Sequence, residues 1–253
     1  WSSDVCSSDL NTDIFFAKKA GVDTFKYLGK LPGVSESKNA ANKEMAPSLD
    51  GLGNLYFTSL RSYDTDHKSL HRGKLADEKL SAVSAVPGDI SSHEPGDINM
   101  DCGISHDGNT LVISKARFDI GQSVPSRSDL VIATRSASSP LFVENAADGK
   151  LVEKLNTEAL EYAPELSKDG LELYFTRASS GANAPDKLQE NLRIMLAERK
   201  STSEPFAAAR VIKSIDGFVE APTITDDGKD LYFHKKDGEG KYRIYHVVRS
   251  EAP

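Results

Sequence analysis

Short runs of alternating apolar and polar residues, broken by Gly, Asp, Asn and Pro, fill most of the chain. A period of two in short runs between turn residues predicts strands rather than helices. Four segments share one pattern: MAPSLDGLGNLYFTS from Met45, DCGISHDGNTLVISK from Asp101, YAPELSKDGLELYFTR from Tyr162 and EAPTITDDGKDLYFHK from Glu220. Their anchors, Leu55, Leu111, Leu173 and Leu231, recur about every 60 residues, which marks a structural repeat.

Within a repeat, a short strand leads into a tight turn and then into a richly apolar strand. Asp107-Gly108, Asp169-Gly170 and Asp227-Gly228 are the turns, with Gly supplying a positive φ and Asp tolerating the tight geometry. A third strand follows as DIFFAKK from Asp13, DLVIATR from Asp129, NLRIMLAER from Asn191 and KYRIYHVVR from Lys241. ARVIKS from Ala209 is a weaker fourth. Four antiparallel strands per repeat predict an all-β protein, a β-propeller of about four to five blades whose faces are buried only by stacking on neighbours. The outer half of the second unit, 63–99, reads weakly and is expected to be a long irregular insertion. DIFFAKK and KYRIYHVVR are both third strands, so the ring is expected to begin and end mid-blade and to be incomplete.

Composition agrees with this picture and narrows the partners. The 253 residues include 18 Gly and 11 Pro, as many turns require, and the net charge of −7 disfavours nucleic acid and anionic membranes. No apolar run reaches the roughly 18 residues of a membrane span. Of the two Cys, Cys6 lies in an anomalous opening segment, which leaves Cys102 and no intrachain disulfide to expect.

The pattern small-Pro-x-Ile/Leu-Ser-x-Asp-Gly-x-x-Leu-Tyr-Phe-Thr, followed by Asp-Leu-x-x-Ala-Thr-Arg, resembles the WD-like β-propeller repeats of TolB-type bacterial proteins. RKSTSEPFAAA from Arg199 resembles the stretch these proteins place between third and fourth strands. The resemblance covers nearly all of 11–253. It implies a periplasmic or extracellular protein that takes part in envelope assemblies. In the third unit, Cys102 stands where the other copies have Pro.

Candidate chemistry is sparse. Acidic residues recur near the inner strands: Glu44, Asp101, Glu161 and Glu220. They are read either as carboxylates around a channel mouth, able to bind a cation such as calcium or a basic partner group, or as ordinary strand-edge charges. The Asp of each turn recurs and so belongs to structure. Arg61, Arg117, Arg177 and Lys235 follow the second strands and are expected to form a solvated rim. Six His show no metal-ligand spacing, and no nucleophile elbow, phosphate loop or dinucleotide fingerprint occurs. The loop at 179–190 is a candidate for partner contact. We therefore expect a monomeric, cofactor-free, non-enzymatic module that binds a protein, peptide or glycan through its channel-mouth loops. A propeller hydrolase, lactonase or sugar-binding protein with a channel-mouth metal on Glu44, Glu161 and Glu220 is the alternative.

The chain opens with WSSDVCSSDL, which holds its one Trp and has no strand or helix period. The decamer matches one reading frame of a common short-read sequencing adapter and stands where an inner hairpin is expected. Residues 1–10 are accordingly expected to be non-native, and 11–253 to form the repeat domain. Its inner hairpins are expected near 45–59, 101–115, 162–177 and 220–235.

Overall fold

The computed structural model describes residues 2–3, 12–21, 24–34, 43–90, 94–178 and 191–250. Five small sheets follow one another along the chain. The first holds β1 (Ser2–Ser3), β2 (Ile14–Lys19) and β3 (Phe25–Lys30), with β2 in the middle. The second is the meander β4 (Glu44–Leu49), β5 (Asn54–Ser59), β6 (Leu70–Ala76) and β7 (Lys79–Ala85), with a one-turn helix α1 (Tyr63–Asp66) between β5 and β6.

The third sheet holds β8 (Gly88–Asp89), β9 (Asp97–Ile104), β10 (Thr110–Arg117), β11 (Arg127–Thr134) and β12 (Phe142–Val143) in the order β8-β12-β11-β10-β9. After the helix α2 (Ala146–Val152) comes the fourth sheet: β13 (Leu160–Leu166), β14 (Glu172–Ala178), β15 (Leu192–Glu198) and β16 (Arg210–Val211). The fifth holds β17 (Val219–Ile224), β18 (Asp230–Lys236) and β19 (Tyr242–Val248). In the four sheets that carry the repeat, the inner hairpins are β4-β5, β9-β10, β13-β14 and β17-β18. Together these blades make a β-propeller.

Each second strand is buried on both faces, because alternate residues serve different neighbours. On β14, Leu173 and Phe175 enter a cluster with Val112 and Ile132 of the third blade. Tyr174, between them, packs with Val219 and Phe233 of the fifth. On β10, Val112 faces the fourth blade, while Leu111 and Ile113 join Tyr56 of the second. On β5, Leu55 and Phe57 face Ile14 of the first sheet. The core is thus a series of inter-blade layers, and each buried Leu or Phe contributes about 1.5–3 kcal/mol. The first and fifth sheets also meet, with Phe25 of β3 edge-on to Tyr232 of β18 at 6.1 Å.

The turns work by a shared device. Gly108, Gly170 and Gly228 have φ of 73°, 69° and 69°. The preceding Asp keeps an ordinary φ and acts through its carboxylate. Asp107 Oδ1 accepts from Ser105 Oγ and the Asn109 N–H, Asp169 Oδ1 from Ser167 Oγ and Leu171 N–H, and Asp227 Oδ1 from Thr225 Oγ1 and Lys229 N–H. These donors hold all three carboxyls below the usual range.

The outer half of the second blade departs from expectation. It is not an irregular insertion but the hairpin of β6 and β7. Its turn is Asp77-Glu78, both at positive φ (48° and 62°). The mirror-image turn has the right twist for a hairpin, but without Gly or Asn it lacks the usual signal. Helix α2 was not foreseen either, although Val152 and, just beyond it, Leu155 are buried against the third and fourth blades. In the opening decamer, which has no strand period, Ser2 and Ser3 pair with Phe15 and Ile14 of β2. Trp1 and Cys6 lie outside the described residues.

Candidate functional site

The inner strands of the second to fifth blades leave a cavity of about 300 Å³ between them. Three of these strands carry a bulge at the Ala-Pro of the repeat, where Ala46, Ala163 and Ala221 take φ of 52°, 50° and 53°. A positive φ is uncommon for Ala and costs on the order of 1 kcal/mol. In exchange the bulge turns backbone N–H groups toward neighbouring blades. Ala163 N–H bonds Asp101 Oδ2 of the third blade at 3.2 Å, and Ala221 N–H bonds Thr176 Oγ1 of the fourth at 3.0 Å. In the third blade Met100 is the extra residue and no Pro follows; buried Cys102 occupies that place.

A second set of links runs through one position of the apolar strands. Thr58 Oγ1 donates to Met100 O at 2.8 Å, Ser114 Oγ to Glu161 O at 3.3 Å, and Thr176 accepts from Ala221. In the fifth blade the equivalent residue is His234, which lines the cavity.

The four acids singled out from the sequence fall into two groups. Glu44 and Glu161 occupy one register position, opposite Ser59 and Arg177. Each is buried and held within its own blade. Glu44 Oε1 accepts from Arg61 Nη2 at 3.0 Å, and Glu161 Oε1 from Arg177 Nε and Thr157 Oγ1, each at 2.7 Å. Burial raises both carboxyls above their ordinary value, against the pull of the guanidinium and hydroxyl partners. They are struts rather than a mouth.

Asp101 and Glu220 line the cavity instead, joined by Glu165. Asp101 and Glu220 pair across their hairpins with Ser114 and His234, whereas Glu44 and Glu161 pair one position further along. Burial pushes Asp101 up to about 6, only partly offset by the Ala163 N–H. It pushes Glu220 up to about 7 despite a bond from the Tyr162 hydroxyl, and the nearby Asp101 charge adds to the rise. Glu165, whose Oε2 accepts from Ser48 Oγ of the second blade at 3.3 Å, is pushed up to about 8. Charged carboxylates without counter-ions are costly there, so the protonated form persists toward neutral pH.

Sequence reasoning passed over Glu165. Its signal was the repeat itself: the equivalent positions hold Ser48, Gly103 and Thr223, so this copy alone is ionisable. The expected basic rim is also different. Arg61, Arg117, Arg177 and Lys235 are each committed to an in-blade ion pair, with Glu44, Asp97, Glu161 and Asp216. Among the described residues, no three His, Cys, Asp or Glu side chains are placed to hold a metal ion, so the metal of the alternative reading has no three-ligand set there. The loop at 179–190 lies outside the described residues. Among them, no helix is long and apolar enough to cross a membrane.

No protein-family model matches the chain, and no curated protein matches its sequence. Solved structures do match. The native arabinanase Arb43A of Bacillus subtilis superposes with a TM-score of 0.57 at 11% identity, over 96% of this chain and 87% of that one. TolB of Acinetobacter baumannii matches with a TM-score of 0.44 at 12% identity, over 94% of this chain and 46% of that one. A TolB from Agrobacterium tumefaciens matches with 0.43 at 18%, over 82% and 58%. The chain is a β-propeller. It spans about half the length of the TolB structures, and at these identities the likeness establishes the fold alone.

Proposed function

We propose that the chain is a recognition module, a rigid propeller that binds a protein, peptide or glycan partner at the mouth of its central cavity. One observation carries this reading: a cavity of about 300 Å³ on the propeller axis has mainly apolar walls and three buried carboxyls from three blades. Apolar pockets with a few convergent polar groups are the usual form of ligand sites. The TolB-like pattern of the repeats supports a place in the bacterial periplasm or at the cell surface. Binding is tested by screening a peptide display library and a glycan array. Hits that are lost when Met100→Trp fills the cavity, with the melting temperature kept, support the reading. Hits indifferent to that substitution, or a complete lack of hits, refute it.

A second reading rests on the same carboxyls. Acids that hold their protons toward neutral pH can serve as proton donors in hydrolysis, with a second carboxylate as base. Glu220 or Glu165 would donate and Asp101 would accept. A panel of nitrophenyl glycosides and lactones tests it: turnover abolished by Glu220→Gln supports catalysis, and the absence of turnover across the panel removes it.

A further inference from the structure

We infer that the cavity receives a cationic side chain, the Lys or Arg of a partner polypeptide, with its charged head on Glu220 and its stem along the apolar wall. The inference rests on the recognition reading and specifies its ligand.

Glu220 carries the argument. It is 7% exposed. Its Oε2 accepts from the Tyr162 hydroxyl at 3.1 Å, while Oε1 is buried with no hydrogen-bond partner. An unsatisfied buried acceptor is costly, and a donor entering the cavity removes that cost. The protein shows how it treats such acids elsewhere. Glu44 and Glu161 each have an arginine of their own blade, Arg61 from just beyond β5 and Arg177 on β14. In the fifth blade the residue equivalent to Arg177, Lys235, stands opposite Val219 and is turned to Asp216, while Glu220 stands opposite His234. Among the described residues, three acids line the cavity and no Lys or Arg does. The counter-charge present in the second and fourth blades is left for the ligand to bring.

The walls select the rest of the ligand. Met45, Leu60, Ile98, Met100 and Phe118 give the cavity apolar surface. Lys and Arg side chains suit such a funnel, since they bury a methylene stem and end in donors. Methionine walls adapt to either shape. An anionic ligand meets like charge, and a free metal ion meets too few ligands.

Binding is linked to protons. Around Glu220 stand the Tyr162 hydroxyl from β13, Asp101 from β9 and, opposite Glu220 on β18, His234; Glu165 lines the same cavity. A cation that settles on Glu220 favours its ionised form, so a proton leaves as the ligand arrives. Affinity therefore rises with pH through the range in which Glu220 titrates, about 7.

Titration calorimetry tests this with four blocked tripeptides, acetyl-Ala-X-Ala-amide, in which X is lysine, arginine, norleucine or citrulline. The lysine or arginine peptide is expected to bind at least 10-fold more tightly at pH 8 than at pH 5.5. Buffers of different ionisation enthalpy are expected to report proton release near pH 6.5. Glu220→Gln is expected to weaken binding at least 10-fold while its circular dichroism is unchanged. Norleucine or citrulline binding as tightly as its charged counterpart overturns the cation inference but leaves a cavity that binds ligands. Binding of no peptide, when a library hit is lost on cavity filling, overturns the inference while the recognition reading stands. Should Glu220→Gln fail to fold, proton release in the unaltered protein decides: its absence overturns the inference.

Discussion

Glu220 gives the sharpest test of how burial governs this fold. Its carboxyl moves from 4.5 in the unfolded chain to about 7 in the native one. The native state therefore binds more protons between those values, and stability falls as pH rises through them. The stabilisation is fully present below pH 4.5 and is lost above about pH 7. One pKa unit corresponds to about 1.4 kcal/mol, so the whole shift amounts to about 3 kcal/mol. Glu220→Gln keeps the shape and the acceptor for Tyr162 but removes the ionisation. Urea unfolding followed by circular dichroism at pH 5, 6, 7 and 8 is the assay. Near pH 5 the two proteins are expected to lie within about 1 kcal/mol. At pH 8 the Gln variant is expected to be more stable by up to about 3 kcal/mol, or several degrees in melting temperature for a chain of this size. Asp101 and Glu165 add slopes of the same sign to both proteins, so the difference reports Glu220. Parallel stability curves from pH 5 to 8 would refute the reasoning, because they would mean that Glu220 is ionised or solvated in the native state.

Three further outcomes test the packing. Arg177→Ala strands the buried Glu161 and is expected to cost about 3–5 kcal/mol in urea unfolding, whereas the pair Glu161→Leu with Arg177→Met recovers most of it; equal losses in both proteins would deny the strut its role. Gly228→Ala places a Cβ in open space and is expected to cost about 1 kcal/mol from its positive φ alone, while Gly108→Ala also drives a Cβ to 2.8 Å from Asp50 Oδ2 and should lower the melting temperature further. Thr176→Val removes the acceptor for the Ala221 N–H and is expected to cost about 1–3 kcal/mol; amide exchange at Ala221 should speed up, and unchanged exchange would mean the bond is absent in solution.

Much of the fold was legible because its information is local. An Asp-Gly turn, its Ser or Thr two residues before the Asp, and a Leu-Tyr-Phe or Leu-Val-Ile strand recur from repeat to repeat, and four repeats confirm one another. The unreadable parts lack that redundancy. The turn at Asp77-Glu78 uses residues without turn preference, and α2 is a single short insertion between blades. Glu165 was visible only as a departure from the other copies.

The candidate site divides along the same line. Sequence by itself determined that acids would stand near the inner strands, but not which of them would meet. Three-dimensional structure decided that, since one register step separates an acid paired with its own arginine from one turned to the axis. Asp101, Glu165 and Glu220 stand directly beside a bulge, whereas Glu44 and Glu161 stand one residue further from theirs. A channel belongs to no single blade. Its chemistry exists only after separate inner strands have stacked around it and burial has withheld the water that would keep their carboxyls charged.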